Sequence, residues 1–268
     1  MHHDLAKIDA AAEERAAHRL YGFRDAAERG SVGQWRGLAL DAIAAAAREG
    51  RLPILVGGTG LYIRSLAAGL APVPEIPEPI RQEAVELHRL LGGAGFRERL
   101  ARLDPAGADR IVAGDRQRLV RAYEVVRATG APLAAWQRRG DPAPPYRVAT
   151  ILLAPPRETL YAACEARFAR MIAAGGLVEA AALAARGLDP ELPAMKAVGL
   201  PELLRHLRRE MPLAEAIAAA QRATRRYAKR QMTWFRHQTT PDLSIAEPFS
   251  RESLRLSRRF VHEAGLTG

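Results

Sequence analysis

Three groups of residues have types and spacings that chemistry could use. The first lies in Leu52 to Tyr62, L-P-I-L-V-G-G-T-G-L-Y, where Gly57, Gly58 and Gly60 follow the apolar run of Leu52, Ile54, Leu55 and Val56. A strand, a glycine turn and a helix in succession let the backbone approach a ligand closely and aim free N–H groups and a positive helix end at an anion. Thr59 adds the one hydroxyl of the turn that could reach a phosphate oxygen or a nucleophile. The same pattern also serves plain chain reversal. The second is Arg167, which falls on the apolar stripe of Leu160, Cys164, Phe168 and Met171. An arginine there is either turned toward an anion or snorkels to solvent at the edge of the stripe. The third is Gln221 to Arg236, with six basic and no acidic side chains. At helical spacing Arg222, Arg226 and Arg230 form one ridge and Arg225 with Lys229 a second, while Ala220, Ala223, Tyr227 and Trp234 turn to the core. Like charges at i, i+4 repel, so the helix alone does not favour this pattern. A phosphate backbone would, the alternative being a solvated basic face.

These groups need elements to hold them. The Leu52 run is too short for a helix and unbroken, as buried parallel strands are, so it is expected to be a central strand. A helix follows it through Leu61, Ile63, Leu66 and Ala67. Another precedes it, capped by Ser31, carrying Trp35, Leu38, Ala39, Ala42 and Ile43, and stopped by Gly50. Helix, strand and helix with short links imply a parallel sheet covered on its faces. His18 to Phe23 is expected to add a short strand.

Pro72, Pro74, Pro77 and Pro79 mark a boundary after Leu70. Residues 80–139 are helical in pattern, over Ile80 to Leu91, Gly95 to Leu103 and Asp115 to Ala128. The last has a cap at Asp115, a stripe of Leu119, Ala122, Tyr123 and Val126, and a stop at Thr129-Gly130. Asp141 to Pro145 crosses back, and Val148 to Ala154 is predicted to be a returning strand. Helices over Glu158 to Ala174, Leu177 to Ala185 and Pro201 to Leu207 follow, with Met195 to Leu200 as a link and a weakly helical tail after His237. The expected organisation is therefore 1–70 as the first part of an α/β core, 71–140 as a helical insertion, and 141–268 as the return of the core with basic C-terminal helices.

Composition bounds the setting. With 268 residues, 48% of them hydrophobic, the chain can bury a sizeable core. No run approaches the ~18 consecutive apolar residues of a membrane span, and Asp4, Lys7 and Asp9 do not suit a signal peptide. A cytoplasmic protein without a membrane partner is expected. Cys164 is the only cysteine, which excludes an intrachain disulfide and a cysteine-based zinc site. A net charge of +10 favours a polyanionic partner. Only Lys7, Lys196 and Lys229 are lysines, the other bases being arginine; a GC-rich genome produces that bias without function.

The sequence resembles the tRNA dimethylallyltransferases through four segments in matching order. They are G-G-T-G-L-Y at Gly57 to Tyr62, D-R-Q-R-L-V-R-A at Asp115 to Ala122, M-K-A-V-G-L-P-E at Met195 to Glu202, and T-R-R-Y-A-K-R-Q-M-T-W-F-R at Thr224 to Arg236. The resemblance implies transfer of a dimethylallyl group from dimethylallyl diphosphate to N6 of adenosine 37, beside the anticodon of tRNA, by a monomer with Mg2+ sharing the diphosphate charge. It implies a P-loop NTPase-like α/β fold, a parallel sheet core carrying an all-helical insertion domain that grips the anticodon stem-loop. It places Thr59 and Arg167 as catalytic residues and Gly57, Gly58, Thr59 and Arg167 at the diphosphate. It places Thr59, Arg81, Gln117, Arg118, Leu119, Val120, Arg121, Lys196, Ala197, Val198, Gly199, Leu200, Pro201, Thr224, Arg225, Arg226, Lys229, Arg230 and Gln231 against tRNA. Leu200 stands where the family usually has tyrosine.

The family's patterns also begin with G-x-x-x-x-G-K-[ST] and a D-S-x-Q segment whose aspartate acts as base, and neither occurs in these residues. The first strand and phosphate loop are accordingly expected to be absent, through truncation, a misplaced start or loss of activity. Rival readings are an inactive tRNA-binding relic, a non-catalytic RNA-binding protein, and an adenylate isopentenyltransferase acting on free nucleotide. The basic helix and the helical insertion argue against the last, since a nucleotide needs neither. A small-molecule kinase would need the Walker lysine.

Overall fold

The computed structural model describes residues 14–140 and 146–266. Ser31 caps the first helix, α1 (Val32–Arg48), its hydroxyl accepting from the Gln34 amide while the Gln34 side chain reaches back to the Ser31 N–H. This reciprocal arrangement satisfies two otherwise orphaned donors. The chain continues through α2 (Gly60–Ala68), α3 (Glu78–Ala101), α4 (Pro105–Arg110), α5 (Arg116–Thr129) and α6 (Leu133–Arg139). After β1 (Ile151–Leu153) come α7 (Arg157–Met171), a π-helical turn (Ile172–Gly176) and α8 (Leu177–Ala185). A 3-10 turn (Pro193–Lys196), α9 (Leu200–Leu207), α10 (Leu213–Gln238), β2 (Leu243–Ile245) and α11 (Arg251–Glu263) complete it.

Two compact units result, one built from the chain up to Ile63 and again from Arg147, the other being Arg64–Tyr146. The second unit is helical. Its core joins Ala84, Phe96 and Leu100 of α3 to Leu119, Ala122, Tyr123 and Val126 of α5. Asp115 caps α5 through the Arg118 amide, and Gly130 ends it in the left-handed conformation. The helices expected over Ile80–Leu91 and Gly95–Leu103 are both present within α3, which Gly92, with a non-helical φ of 65°, breaks in two. The expected boundaries at 71 and 140 fall inside this unit.

In the first unit α10 packs along α7 and α9. Phe168, Ala180, Leu183, Leu200, Leu203, Leu204 and Ala220 make its core. Residues 157–185 would be long and apolar enough to cross a bilayer by composition alone. Phe168, Ala180 and Leu183 of that run lie in the core, and 22% of its most apolar window is buried within the protein.

The parallel sheet is smaller than expected. Among the described residues it has two strands, with Ile151 opposite Leu243 and Leu153 opposite Ile245. The expected returning strand over Val148–Ala154 is confined to β1, and β2 was not expected in the tail. Leu52–Val56 is not a strand: no backbone group of 52–58 bonds another described residue, and Ile54 and Val56 are 76% and 73% exposed. A strand exists only through ladder bonds to a neighbour, and an apolar run without one is extended chain. His18–Phe23 is likewise not a strand, because Leu20 and Gly22 adopt φ of 62° and 56°, which no ladder accommodates.

Candidate active site and nucleic-acid interface

Residues from three distant parts of the sequence meet on α10. The glycine turn packs onto it so closely that a Cβ at Gly58 would lie 2.3 Å from the Gln231 side-chain nitrogen. One at Gly60 would lie 2.1 Å from the Trp234 ring. Gly60 is therefore required by close packing against the Trp234 ring, a reason different from the phosphate approach read from its spacing, whereas at Gly58 the flexible end of Gln231 could move aside. Gly57 has open space around it. The amides of Gly57, Gly58, Thr59 and Gly60 donate to no backbone carbonyl of the described residues, while the Thr59 carbonyl accepts from Tyr62 and Ile63 and opens α2. The turn thus presents unengaged N–H groups at a helix start, the geometry suited to an anion.

Thr59 is exposed, and its hydroxyl bonds no other described residue. Arg167 is also exposed, at the solvent edge of its stripe and not facing the core. It neighbours Phe168 by one residue, about 100° around the helix, so burial of the Phe168 ring turns Arg167 out of the core. Its charge still reaches Cys164, whose thiol is pushed up by burial while Arg167 pulls it down. The structure makes no bond between Thr59 and Arg167.

The basic face of α10 divides into two kinds of residue. Arg222, Arg226, Lys229 and Arg230 are exposed and form no ion pair with another described residue, so this ridge is free to meet an anion. Arg225, by contrast, is ion-paired to Glu165 of α7, and Gln221 donates to the Glu165 carbonyl at 3.5 Å. Arg225 fastens α10 to α7 and is not part of a second free ridge. Thr224 donates to the Ala220 carbonyl at 2.9 Å. Of the expected core-facing residues Ala220 is fully buried, whereas Ala223, Tyr227 and Trp234 are half-buried; Ala216, Ala228 and Phe235 take the interior positions beside Ala220.

Beside this ridge lies a partly open cavity of about 160 Å3, lined by Lys196 to Gly199, Pro201, Glu202, Ala223, Arg226 and Arg230. Gly199 forms its turn with φ of 94°, and a Cβ there would lie 2.6 Å from the Phe168 ring, so only glycine fits. Leu200, expected at the RNA, is buried in the core. Ala197, Val198 and Pro201 are exposed, and Lys196 is held by Glu191 at 2.9 Å. Glu202 carried no assigned role, yet it lines the cavity with a buried Oε2 that has no hydrogen-bond partner. Its only sequence signal is its place as the last residue of M-K-A-V-G-L-P-E.

The remaining residues expected at RNA lie in the second unit. Gln117 and Arg118 are exposed on the first turn of α5, Arg118 lying 3.3 Å from Asp115. Arg121 lies 3.5 Å from Glu124, whose carboxyl is pushed up by burial and pulled down by Arg121. Arg81 donates its Nε–H to the Ile76 carbonyl at 3.1 Å. Val120 is half-buried, and Leu119 is 0% exposed, so its side chain is core and not an RNA contact. Among the described residues no three His, Cys, Asp or Glu side chains gather to hold a metal.

In this α/β chain a glycine turn whose amides meet no backbone carbonyl of the described residues is seated on a helix whose Arg222, Arg226 and Arg230 form no ion pair among them. The family model described as IPP transferase matches residues 4–238, and the chain belongs to that family. It is 58% identical over 235 residues to a tRNA dimethylallyltransferase of Rhodospirillum centenum, covering 87% of this chain and 75% of that one. A tRNA dimethylallyltransferase of Rhodospirillum rubrum is 53% identical over 262 residues, covering 96% and 80%. The crystal structure of a tRNA isopentenylpyrophosphate transferase from Bacillus halodurans is similar with a TM-score of 0.66 at 29% identity, covering 97% of this chain and 82% of that one.

Proposed function

We propose that this protein transfers a dimethylallyl group from dimethylallyl diphosphate to N6 of adenosine 37 in tRNA, giving N6-dimethylallyladenosine. The observation that carries the reading is the seating of the glycine turn on α10 through Gly58 on Gln231 and Gly60 on Trp234. One helix then serves both a turn suited to the diphosphate and the ridge of Arg222, Arg226 and Arg230 suited to the RNA backbone. The names borne by relatives at 58% and 53% identity support it.

Thr59 and Arg167 have the donors to stabilise the diphosphate as the C–O bond breaks: the electron pair leaves with the diphosphate oxygen, the adenine amine bonds the prenyl carbon, and the amine gives up one proton to a base or to solvent. Arg81, Gln117, Arg118 and Arg121 are the contacts of the second unit with the stem-loop. The protein acts as a cytoplasmic monomer. Mg2+ would share the charge of the diphosphate, held chiefly by the phosphate oxygens themselves.

These 268 residues contain no G-x-x-x-x-G-K-[ST] segment and no D-S-x-Q, so we expect transfer by them alone to be too slow to detect. The test is transfer of labelled dimethylallyl to a tRNA with adenosine beside the anticodon, with this chain and with one in which a phosphate loop and its aspartate precede Met1. Turnover by the longer chain supports the reading. Its absence from both, with intact folding, defeats it.

A further inference from the structure

The ion pair of Arg121 with Glu124 hides its acidic partner and shows its basic one. Arg121 donates its Nη1–H to Glu124 Oε2 at 3.5 Å, one helical turn further along α5, and the two side chains are 42% and 13% exposed. By contrast the paired carboxylates of α11, Glu252 and Glu263, are exposed. Burial is the largest influence on the Glu124 carboxyl and pushes it up. Arg121 on its own helix and then Arg81 on α3 pull it down, while Glu78 on α3 opposes them.

Stability alone does not favour this pair. Withdrawing a carboxylate from water offsets most of what its arginine returns, and a basic residue ahead of its acidic partner is the weaker order on a helix. What the pair supplies is direction. Tyr123, Val125 and Val126 around Glu124 are buried, so its carboxylate is a fixed point, whereas the guanidinium that it holds reaches solvent. The remaining N–H groups of Arg121 bond no other described residue and are left for an acceptor. An arginine loose in solvent gives up rotamer freedom when it meets a phosphate; one already gripped gives up less. Resting on the RNA reading above, which puts Arg121 against the stem-loop, we propose that Glu124 is a positioning residue: it touches no RNA and aims the Arg121 guanidinium, so that the fork meets the phosphate backbone already oriented. Arg81, whose Nε–H is fixed on the Ile76 carbonyl at 3.1 Å, favours the charged form of the same carboxylate. Two arginines distant in sequence are thereby tied to one acidic group where α3 packs on α5.

The alternative is that the pair only holds α5 in place. The two roles part in a double-mutant cycle on the full chain, with binding of a synthetic anticodon stem-loop read by filter titration at one salt concentration and thermal midpoints showing that each variant is folded. Glu124→Gln keeps the shape and loses the charge, and should weaken binding roughly 2- to 12-fold, the factor for immobilising one long side chain. Arg121→Ala should weaken it at least as far. In the double variant the glutamine should add less than about twofold, because nothing remains for it to aim. If either single variant does not fold, Arg121→Lys decides, since it keeps the charge but loses the planar fork, and it should weaken binding by a similar factor. An equal loss from the glutamine with and without Arg121 shows a structural role and overturns the assignment. Unchanged affinity in Glu124→Gln, Arg121→Ala or Arg121→Lys overturns it too, the RNA reading then resting on other residues. No binding of any stem-loop by the unsubstituted chain overturns both.

Discussion

Gly60 lies so close to Trp234 that a methyl group added to it would sit 2.1 Å from the indole ring. Neither residue alone announces this, because they are far apart in sequence and the tryptophan is only half-buried. Gly60→Ala should therefore force the ring to move and cost about 1–3 kcal/mol, the range for overpacking. Thermal midpoints and tryptophan emission read the effect. In a Trp234→Leu background the same alanine should cost less, and equal costs in both backgrounds would sink the steric explanation.

The two kinds of arginine on α10 should separate experimentally. Charge reversal of Arg226 and Arg230 to glutamate should weaken stem-loop binding and flatten its log-log salt slope by roughly one for each phosphate no longer neutralised, with little change in thermal midpoint. Arg225→Ala should instead lower the midpoint, because it leaves the partner Glu165 without its ion pair. A filter-binding titration over salt, beside a melting curve, checks both. Unchanged affinity in the charge-reversed chain would refute the RNA role of the ridge.

The second unit should respond to acid through one buried contact. The Tyr123 hydroxyl, inside the core, donates to Glu83 at 2.7 Å, and this bond first, then Arg127, holds the Glu83 carboxyl below its ordinary value of 4.5. A depressed carboxylate binds protons less well folded than unfolded, so its contribution is present above pH about 4.5 and is lost as pH falls through the folded value. Tyr123→Phe should cost about 1–2 kcal/mol at neutral pH and reduce the loss of stability on acidification. Denaturant midpoints at pH 7 and below pH 4 measure it, and parallel pH profiles for the two chains would rule the contact out.

Much of this architecture is legible in the sequence where a local rule decides the outcome. Ser31 and Asp115 announce helix starts because their side chains can accept from amides a turn later, and Gly130 announces an end because it tolerates left-handed backbone. Leu52–Val56 misleads because apolar composition reports a tendency to burial and not the presence of a hydrogen-bonding neighbour. Arg167 misleads because Cys164 and Phe168 define a stripe broad enough to leave its neighbour on either side of the edge. Glu202 is silent in the sequence because nothing local shows that its carboxylate is buried without a partner.

Catalysis offers a further check on Thr59 and Arg167. In a chain that carries a phosphate loop and aspartate ahead of Met1, Thr59→Ala or Arg167→Ala should lower turnover by roughly 10- to 1000-fold, the range for losing one transition-state donor. Because both side chains are exposed, neither change should shift the thermal midpoint appreciably. Full turnover in either variant would remove that residue from the mechanism.

The unpaired run at Leu52–Val56 carries a cost in solution. Apolar, exposed and without ladder bonds to the described residues, it is a template onto which another strand can add. Ile54→Lys with Val56→Lys should raise the concentration at which the chain stays monodisperse in light scattering. No change would show that this segment does not govern association.

Gly199 couples two parts of the molecule that differ in function. Its left-handed backbone and its close approach to the Phe168 ring make this turn of the cavity wall rest directly on a core aromatic. Phe168 can touch no ligand, yet a smaller side chain there would leave the turn unsupported and let the Lys196–Pro201 segment sink or drift. The cavity is in this sense cast against the interior of the protein, so a substitution at Phe168 should displace the Lys196–Pro201 segment without changing any exposed residue in it.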